Sequence, residues 1–191
     1  MILRFLIFGS GDGSKKIADL IHSIYEKNFV INFIKKKQKS NYSNRLSLIG
    51  MGTPTIREKV FKILQKKKIR LFTLIHKSVY ISKSAKIGSG TIIHQNSYIG
   101  HGARIGKNCL INENVSISHD VTIGNHSVIS PGTAIGGGTK VGKIFFSGLN
   151  ATLIPYIKVG NGCSVSAGST LNKSIKANNK FIKERVIKSK I

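Results

Sequence analysis

Four of the six histidines in the sequence lie within one stretch of it, at His94, His101, His119 and His126. An imidazole titrates at a pKa of ~6.5 in an ordinary environment, so it can accept a proton near neutral pH or bind a metal ion. Asp120 follows His119 directly, and its carboxylate could polarise the imidazole or could simply favour a turn. Proton-transfer chemistry is therefore one interpretation of these residues. The other interpretation is that these histidines are exposed turn residues without a chemical role.

These histidines belong to a six-residue repeat that runs through residues 81–176. Position one of each hexad is aliphatic except at Ser147, Gly often follows it, and position five is mostly small. The first positions are Ile81, Ile87, Ile93, Ile99, Ile105, Ile111, Ile117, Ile123, Ile129, Ile135, Val141, Ser147, Leu153, Val159, Val165 and Leu171. A period of six fits neither an α-helix nor a simple amphipathic strand. It predicts a coil of very short strands with three hexads per turn, aliphatic side chains inside, and Gly or Asn at the turns.

The composition limits the organisation of the chain. Its 191 residues, 40% of them hydrophobic, can form one ordinary domain or two small ones. Cys109 and Cys163 both occupy position five of a hexad, which predicts buried thiols and no disulfide framework. Residues 2–8 precede Gly and Asp and predict a buried strand, not a signal peptide. Since no apolar segment approaches the ~20 residues of a membrane span, we expect a cytoplasmic protein.

The net charge of +24 raises the question of a nucleic-acid partner. Lysine-rich segments such as 34–38 and 65–70 form no nucleic-acid-binding motif and do not interleave with aromatic residues for base stacking. We therefore expect a solvated cationic surface and no nucleic-acid partner. Such a surface would still attract anionic substrates or an acidic membrane surface.

The part of the chain before the repeat predicts a small α/β unit. Strands are expected at 2–8, 29–34, 46–49 and 69–74, with one helix at 15–27 capped by Ser14 and another beginning at Pro54. This order is typical of a nucleotide-binding sheet. The glycine-rich turn at 9–13 could present N–H groups to a phosphate, although tight-turn geometry explains it equally well.

Two further segments lack periodicity. Residues 35–45 are polar and basic and predict a mobile loop. Residues 176–191 predict a basic tail that either packs as a short helix or frays.

Three parts of the sequence resemble one known family. The segment from Leu48 to Arg57 is similar to the family's Ile-Gly-Asn…Arg segment, and residues 74–79 are similar to its Leu-Ile-His-Pro-Ser-Ala junction. Residues 114–120, 129–132 and 136–138 resemble its active-site coil. This family comprises sugar O- and N-acetyltransferases, among them the UDP-4-amino-sugar N-acetyltransferases of bacillosamine synthesis and the sialic acid O-acetyltransferases. The similarity extends to about Asn178.

The resemblance implies a mixed fold. A small Rossmann-like acceptor-binding domain would occupy residues 1–75, a left-handed parallel β-helix with acetyltransferase activity residues 76–178, and a basic C-terminal tail residues 179–191. It also implies a homotrimer in which acetyl-CoA lies along a groove between neighbouring prisms and a sugar or nucleotide-sugar acceptor reaches in from the N-terminal domain. No metal is expected.

The same resemblance assigns residue roles. His119 matches the catalytic base and Asp120 the acidic neighbour that raises its basicity. Gly137 matches the position whose backbone N–H faces the acetyl carbonyl, and Leu149 and Ala167 match coenzyme contacts. The implied substrate-binding residues are Ser10, Gly11, Asp12 and Gly50.

The acceptor half departs from the family pattern. Asp12 stands where the family's Gly-Gly-His-Gly turn has its histidine, and Lys35 and Lys36 replace an acidic pair. Val128 stands where the family has a second active-site histidine, and His126 lies two positions away from it. The acetyl-transfer half is therefore better preserved than the acceptor half.

We predict an acetyl-CoA-dependent acetyltransferase that modifies a sugar or nucleotide-linked amino sugar for surface glycans. A sialic acid O-acetyltransferase and a catalytically reduced trimeric scaffold are the alternatives. A zinc enzyme resembling carbonic-anhydrase-like β-helices is a third. The seven-residue spacing of His94 from His101, and of His119 from His126, does not match the ligand pattern of that family.

Overall fold

The structure, a computed structural model, describes residues 2–34 and 45–182 and the backbone of residues 185–188. Strands β1 (Leu3–Phe8), β2 (Phe29–Ile34) and β3 (Leu46–Ile49) form a parallel sheet in the order β2-β1-β3. Helices α1 (Asp12–Ile24) and α2 (Pro54–Lys66) connect and flank them. Alternate side chains of β1 pack on opposite faces of this sheet, Phe5 and Ile7 with α1 and Leu6 and Phe8 with α2. The predicted α/β unit is therefore present.

Three details of that unit were predicted wrongly. Helix α1 begins at Asp12, with Gly11 as its N-cap, so Ser14 lies inside the first turn. The Ser14 hydroxyl is buried and donates to the Gly50 carbonyl (3.3 Å) instead of capping the helix. The predicted fourth strand is reduced to a single bridge between Ser47 and Leu71. The predicted loop at 35–45 includes Lys35 and Lys36. Except for its last residue, it lies outside the described residues.

The predicted coil is confirmed and begins slightly earlier than the repeat suggested. Its two-residue strands are β4 (Leu74–Ile75), β5 (Tyr80–Ile81), β6 (Lys86–Ile87), β7 (Ile92–Ile93), β8 (Tyr98–Ile99), β9 (Arg104–Ile105), β10 (Leu110–Ile111), β11 (Ser116–Ile117), β12 (Thr122–Ile123), β13 (Val128–Ile129), β14 (Ala134–Ile135), β15 (Lys140–Val141), β16 (Phe146–Ser147), β17 (Thr152–Leu153), β18 (Lys158–Val159), β19 (Ser164–Val165) and β20 (Thr170–Leu171). Each strand from β4 to β17 pairs in parallel with the strand 18 residues later, as Ile92 does with Leu110.

This pairing gives a parallel β-helix with three flat faces and about six turns. Face 1 contains every third strand from β4 to β19, face 2 those from β5 to β20, and face 3 those from β6 to β18. The chain passes from face 1 to face 2 to face 3 through three turns, which we call corners 1–2, 2–3 and 3–1.

The aliphatic first positions form one continuous interior column, nearly all of it buried. Each fully buried Ile or Val stabilises the coil by roughly 1.5–3 kcal/mol relative to an exposed one. Ser147, the exception in the repeat, is also fully buried. It is hydrogen bonded to the Ser130 N–H (3.0 Å) and the Thr133 hydroxyl (2.9 Å). Cys109 and Cys163 are buried and free, as predicted.

The N-terminal unit covers the first four strands of face 1, β4, β7, β10 and β13. Leu74, Ile92, Leu110 and Val128 point outward from that face and pack in one cluster with Phe5, Ile7 and α1. Among residues 2–34 and 45–73, none packs in a hydrophobic cluster with faces 2 and 3.

The segment predicted as a helical or frayed tail is instead a pair of strands. β21 (Asn179–Ile182) adds to face 1 in parallel beside β19, and β22 (Arg185–Lys188) pairs with it antiparallel. The prediction of a short helix there was wrong, because Phe181 is buried inside the column as if it were one more hexad position.

Candidate active site

His119 lies at corner 2–3, between β11 and β12, with about half of its side chain exposed. Its Nδ1 is 3.1 Å from Oδ2 of Asp120. Asp120 has a positive φ of 55°, a turn conformation that Asp tolerates better than most residues. Its N–H donates to the carbonyl of His101 one turn below (2.7 Å). The turn therefore holds the carboxylate against one ring nitrogen and leaves Nε2 on the other side.

Gly137 lies one turn above His119, and its missing side chain makes room for the imidazole. A Cβ at this position would collide with Nε2 of His119 and lie 2.7 Å from Cε1. The next residue, Gly138, donates its N–H to the His119 carbonyl (2.9 Å), which fixes the spacing of the two turns. Within the described part of the chain, the Gly137 N–H donates no hydrogen bond, while its carbonyl accepts one from Tyr156 (2.9 Å). A proton acceptor and a free backbone donor thus occur together at this corner.

The other two predicted coenzyme contacts lie elsewhere in the same chain. Leu149 and Ala167 are exposed residues on successive turns of corner 1–2, and the Gly168 N–H donates to the Leu149 carbonyl (2.8 Å). Face 2 separates them from Gly137. The structure therefore brings Gly137 together with His119 and Asp120, but not with Leu149 and Ala167.

The predicted substrate-binding residues surround the start of α1. Ser10, Gly11 and Asp12 are exposed at the carboxyl end of β1, and Asp12 forms an exposed ion pair with Lys15 (3.1 Å) that contributes little to stability. Gly50 is buried, and a Cβ there would collide with the Ser14 hydroxyl and lie 2.9 Å from Ile7. Gly50 therefore allows β3 to approach α1, and it offers no exposed side for a ligand.

Sequence reasoning missed the contact between α1 and corner 1–2. Lys16 donates to Glu113 (2.7 Å to Oε2) and to Oδ1 of Asn112 (3.2 Å). Burial alone would raise the pKa of Glu113, but the hydrogen bond and charge of Lys16 outweigh it, so this pKa is lowered. The feature of the sequence that could have indicated this contact is Glu113, one of only seven acidic residues in the chain and located in a turn of the repeat. The contact places the start of α1 beside the corner that carries Leu149.

His101 lies one turn below His119 at corner 2–3, with Nδ1 2.9 Å from the Ser84 hydroxyl. The other two histidines of the repeat lie at different corners. His94 is buried at corner 1–2, where burial first and the Lys16 charge second lower its pKa to about 4. His126 is buried at corner 3–1, with Nδ1 2.9 Å from Nδ2 of Asn108 and its ring against Phe61, and burial lowers its pKa. Val128 is buried under the N-terminal unit. Within residues 2–34 and 45–182, no group of three or more His, Cys, Asp and Glu residues is placed to hold a metal ion.

Comparison with known proteins places the chain in a family. The family model described as the GMPPB C-terminal domain matches residues 71–191, and the chain belongs to this family. No curated protein matches the sequence.

Solved structures share the fold. The acetyltransferase domain of PglB from Neisseria gonorrhoeae FA1090 is similar with a TM-score of 0.85 and 20% identity, over 93% of this chain and 95% of that one. The same domain in complex with acetyl coenzyme A gives the same score and identity, over 94% and 96%. A variant of perosamine N-acetyltransferase from Caulobacter crescentus, in complex with CoA and GDP-perosamine, has a TM-score of 0.87 and 20% identity over 98% and 97%. The fold is thus a left-handed parallel β-helix preceded by an α/β unit.

Neither described helix is long and apolar enough to cross a lipid bilayer.

Proposed function

We propose that the chain is an acetyl-CoA-dependent acetyltransferase that acetylates the amino group of a nucleotide-linked amino sugar in surface glycan biosynthesis. The observation that carries this proposal is the His119 imidazole, with Nδ1 3.1 Å from the Asp120 carboxylate and Nε2 beside Gly137, which has no side chain to displace it. The solved structures with the same fold include an acetyltransferase domain bound to acetyl coenzyme A, which supports this cosubstrate. They also include a perosamine N-acetyltransferase bound to CoA and GDP-perosamine, which supports the amine as acceptor.

The proposed reaction uses these groups as follows. The acceptor nitrogen attacks the thioester carbonyl, the C–N bond forms, and negative charge develops on the carbonyl oxygen. His119 accepts the proton that the nitrogen loses, and Asp120 stabilises the imidazolium that results. The Gly137 N–H hydrogen bonds to the oxyanion. Collapse of the intermediate breaks the C–S bond, and the imidazolium returns the proton to the CoA sulfur.

The N-terminal unit is proposed to be a Rossmann-like domain that binds the nucleotide of the acceptor. Exposed N–H groups of residues 10–12 at the start of α1 suit a phosphate, since a helix N-terminus carries a partial positive charge. The Lys16–Glu113 contact directs this end of α1 toward corner 1–2. A sugar held there would lie near Leu149, not near His119 of the same chain.

A homotrimer would complete the site. The residues proposed to bind coenzyme and acceptor lie at corner 1–2, and the base lies at corner 2–3. A neighbouring chain that brings its corner 2–3 to this corner 1–2 would unite the two halves, with acetyl-CoA in the groove between them. We propose that this trimer works in the cytoplasm.

The decisive experiment incubates the purified chain with acetyl-CoA labelled in the acetyl group. The panel of acceptors contains nucleotide-linked amino sugars, free amino sugars and sialic acids, and the products are identified by mass spectrometry. Label on the nitrogen of a nucleotide-linked amino sugar is the expected result. Label on a hydroxyl of sialic acid would favour O-acetylation, and failure to bind acetyl-CoA would favour a non-catalytic scaffold.

A further inference from the structure

Positive charge is segregated onto face 3. The first residue of each strand there points outward, and these exposed residues are Lys86, Arg104, Thr122, Lys140 and Lys158. The equivalent outward residues on face 2 are Tyr80, Tyr98, Ser116, Ala134, Thr152 and Thr170. A general excess of lysine in the sequence would charge both faces. The distribution indicates a specific role for face 3.

The arrangement of these cations opposes folding. Lys86 is directly paired with Arg104, and Lys140 with Lys158, on adjacent parallel strands. Adjacent strands lie about 4.8 Å apart, and like charges directly opposite each other destabilise a sheet. The ion pairs formed by the described residues involve Lys15, Lys16, Lys62 and His119, and none neutralises a cation of face 3. A bound anion would relieve this repulsion.

Face 3 also carries a shallow groove, with a volume of about 630 Å³, that reaches corner 3–1. Lys86 and Arg104 line it on the face, and Lys107 and Lys143 line it at the corner. The backbone N–H groups of these two corner lysines donate to Oδ1 of Asn125 (2.8 Å) and Asn161 (2.9 Å), respectively. These bonds fix the corner backbone beside the groove. No acidic and no aromatic residue is among those that line it.

We propose that face 3 binds an extended polyanion, and specifically a linear acidic polysaccharide. From Lys86 to Lys158 the cations extend over four strand spacings, or about 19 Å, which a linear chain with repeated carboxylates can follow. The absence of aromatic side chains from the lining argues against single-stranded nucleic acid, which is usually bound by base stacking. The shallow groove gives a linear chain contacts on the face and at the corner, whereas a lipid surface would meet the face alone. This proposal uses neither His119 nor Gly137, so it stands or fails independently of the proposed acetyl transfer.

Binding of a fluorescein-labelled oligogalacturonate to the full chain, followed by fluorescence anisotropy, tests the proposal. One variant replaces the four cations of face 3 by glutamine: Lys86→Gln, Arg104→Gln, Lys140→Gln and Lys158→Gln. A control variant removes the same number of Lys and Arg charges from exposed positions of the N-terminal unit and the segment after it: Lys27→Gln, Lys59→Gln, Lys66→Gln and Arg70→Gln. Both variants lower the net charge equally, so non-specific attraction falls equally.

The face 3 variant should bind roughly tenfold more weakly or worse, a loss of about 1.4 kcal/mol. The control variant should stay close to the unmodified chain, and neutral dextran should not compete. Equal weakening by both variants would overturn the proposal, because binding would then reflect net charge alone. Tighter, face-3-dependent binding of an oligonucleotide would overturn the polysaccharide assignment, and displacement of the probe by CoA would assign the cations to the coenzyme. If the face 3 variant does not fold, Lys107→Gln with Lys143→Gln tests the corner side of the groove.

Discussion

Arg57 and Asn108 exchange three hydrogen bonds across 51 positions of the sequence. Arg57 donates from Nε to the Asn108 carbonyl (3.0 Å) and from Nη2 to Oδ1 (2.9 Å), and the Asn108 amide donates back to the Arg57 carbonyl (3.1 Å). Nη1 donates to the carbonyls of Ile49 and Met51, both at 2.9 Å. Burial lowers the Arg57 pKa to about 10, so the guanidinium stays charged near neutral pH. This side chain joins β3, α2 and corner 3–1.

Replacement of Arg57 should therefore destabilise the chain strongly. Arg57→Ala leaves buried carbonyl groups without donors and should lower the free energy of unfolding by about 3–5 kcal/mol. Arg57→Lys should rescue little, because one ammonium cannot reproduce the planar fork of donors. Urea denaturation is the measurement. Lys59→Ala, exposed on the same helix, is the control and should change stability by at most about 0.5 kcal/mol. An Arg57→Ala chain as stable as this control would refute the argument.

His119→Ala should abolish most of the acetyl transfer without unfolding the chain. We expect turnover to fall by on the order of 10²–10⁴-fold, the usual range for loss of a general base, and Asp120→Asn to cost less. The assay is the initial rate at saturating acetyl-CoA, with thermal melts as a folding control. His126→Ala should instead lower the melting temperature, because its ring is buried against Asn108 and Phe61. Wild-type turnover in a folded His119→Ala chain would place the base elsewhere.

Gly137→Ala tests the position of the imidazole. The added Cβ would force the exposed His119 ring away from its place, and a misplaced catalytic group can cost on the order of 10²-fold in rate. The ring can move into solvent, so stability should change by less than about 1 kcal/mol. Gly52→Ala is a matched control, since a Cβ there meets no atom within 4 Å. Equal activity of the two variants would show that the ring position does not matter for the rate.

The buried His94 should make the free energy of unfolding of the chain decrease in acid. Its ordinary pKa of 6.5 is lowered to about 4 in the folded chain, first by burial and then by the charge of Lys16, while Glu113 opposes the shift. As the pH falls through 6.5, the unfolded chain binds a proton at this residue and the folded chain does not. The stabilisation present above pH 6.5 is therefore lost progressively down to pH 4.

The measurement is the free energy of unfolding in urea at pH 7 and pH 4.5. Each unit of pKa shift corresponds to about 1.4 kcal/mol, so between these pH values the wild-type chain should lose about 2–3 kcal/mol more than His94→Asn does. Every other titratable group is present in both chains, so the comparison isolates the contribution of His94. An identical loss in the two chains would show that His94 is not the titrating group.

The separation of Gly137 from Leu149 within one chain predicts complementation between chains. His119→Ala and Leu149→Asp should each inactivate a homotrimer, since every groove would then contain one defective half. Co-expressed and co-purified with different tags, the two variants should regain part of the activity, because some grooves combine two intact corners. Light scattering establishes the trimer beforehand. A monomer mass, or mixed trimers as inactive as either parent, would contradict the shared site.

The sequence was sufficient to predict the coil because its period is strict. Every first position from Ile81 onward lies where the hexads predict it. Gly or Asn occupies most of the positive-φ turns of the coil as expected, and Asp120, His126, Ile144 and Tyr156 occupy the others. The final strands were missed because the six-residue frame breaks between Leu171 and Ile175. Ile175 enters the column two positions earlier than the frame predicts, and Phe181 follows it six residues later. The start of α1 was predicted wrongly because Ser14 is a good capping residue by type. Only its packing against Gly50 shows where its hydroxyl points.

The candidate site could be predicted only in part. His119, Asp120 and Gly137 lie on consecutive turns of one corner, so an 18-residue repeat already predicts their proximity. The contacts of Lys16 with Glu113 and of Arg57 with Asn108 join the N-terminal unit to the coil, and no local pattern encodes such pairs. The burial of Gly50, which separates it from the exposed residues predicted to bind substrate, is likewise a result of packing between β3 and α1.

Ser147 has a consequence for how the coil avoids misfolding. At all the other first positions of the hexads the column presents Ile, Val or Leu. A strand displaced by one whole turn would therefore meet an equally apolar neighbour and lose little energy. A buried hydroxyl cannot be displaced so cheaply, because an unpaired one costs roughly 1–3 kcal/mol and its partners, the Ser130 N–H and the Thr133 hydroxyl, exist at one level only. This single polar layer penalises the shifted alternatives that an otherwise uniform sequence would tolerate. A substitution such as Ser147→Val would make the column more apolar. It would also remove the energetic penalty on a register shifted by one turn.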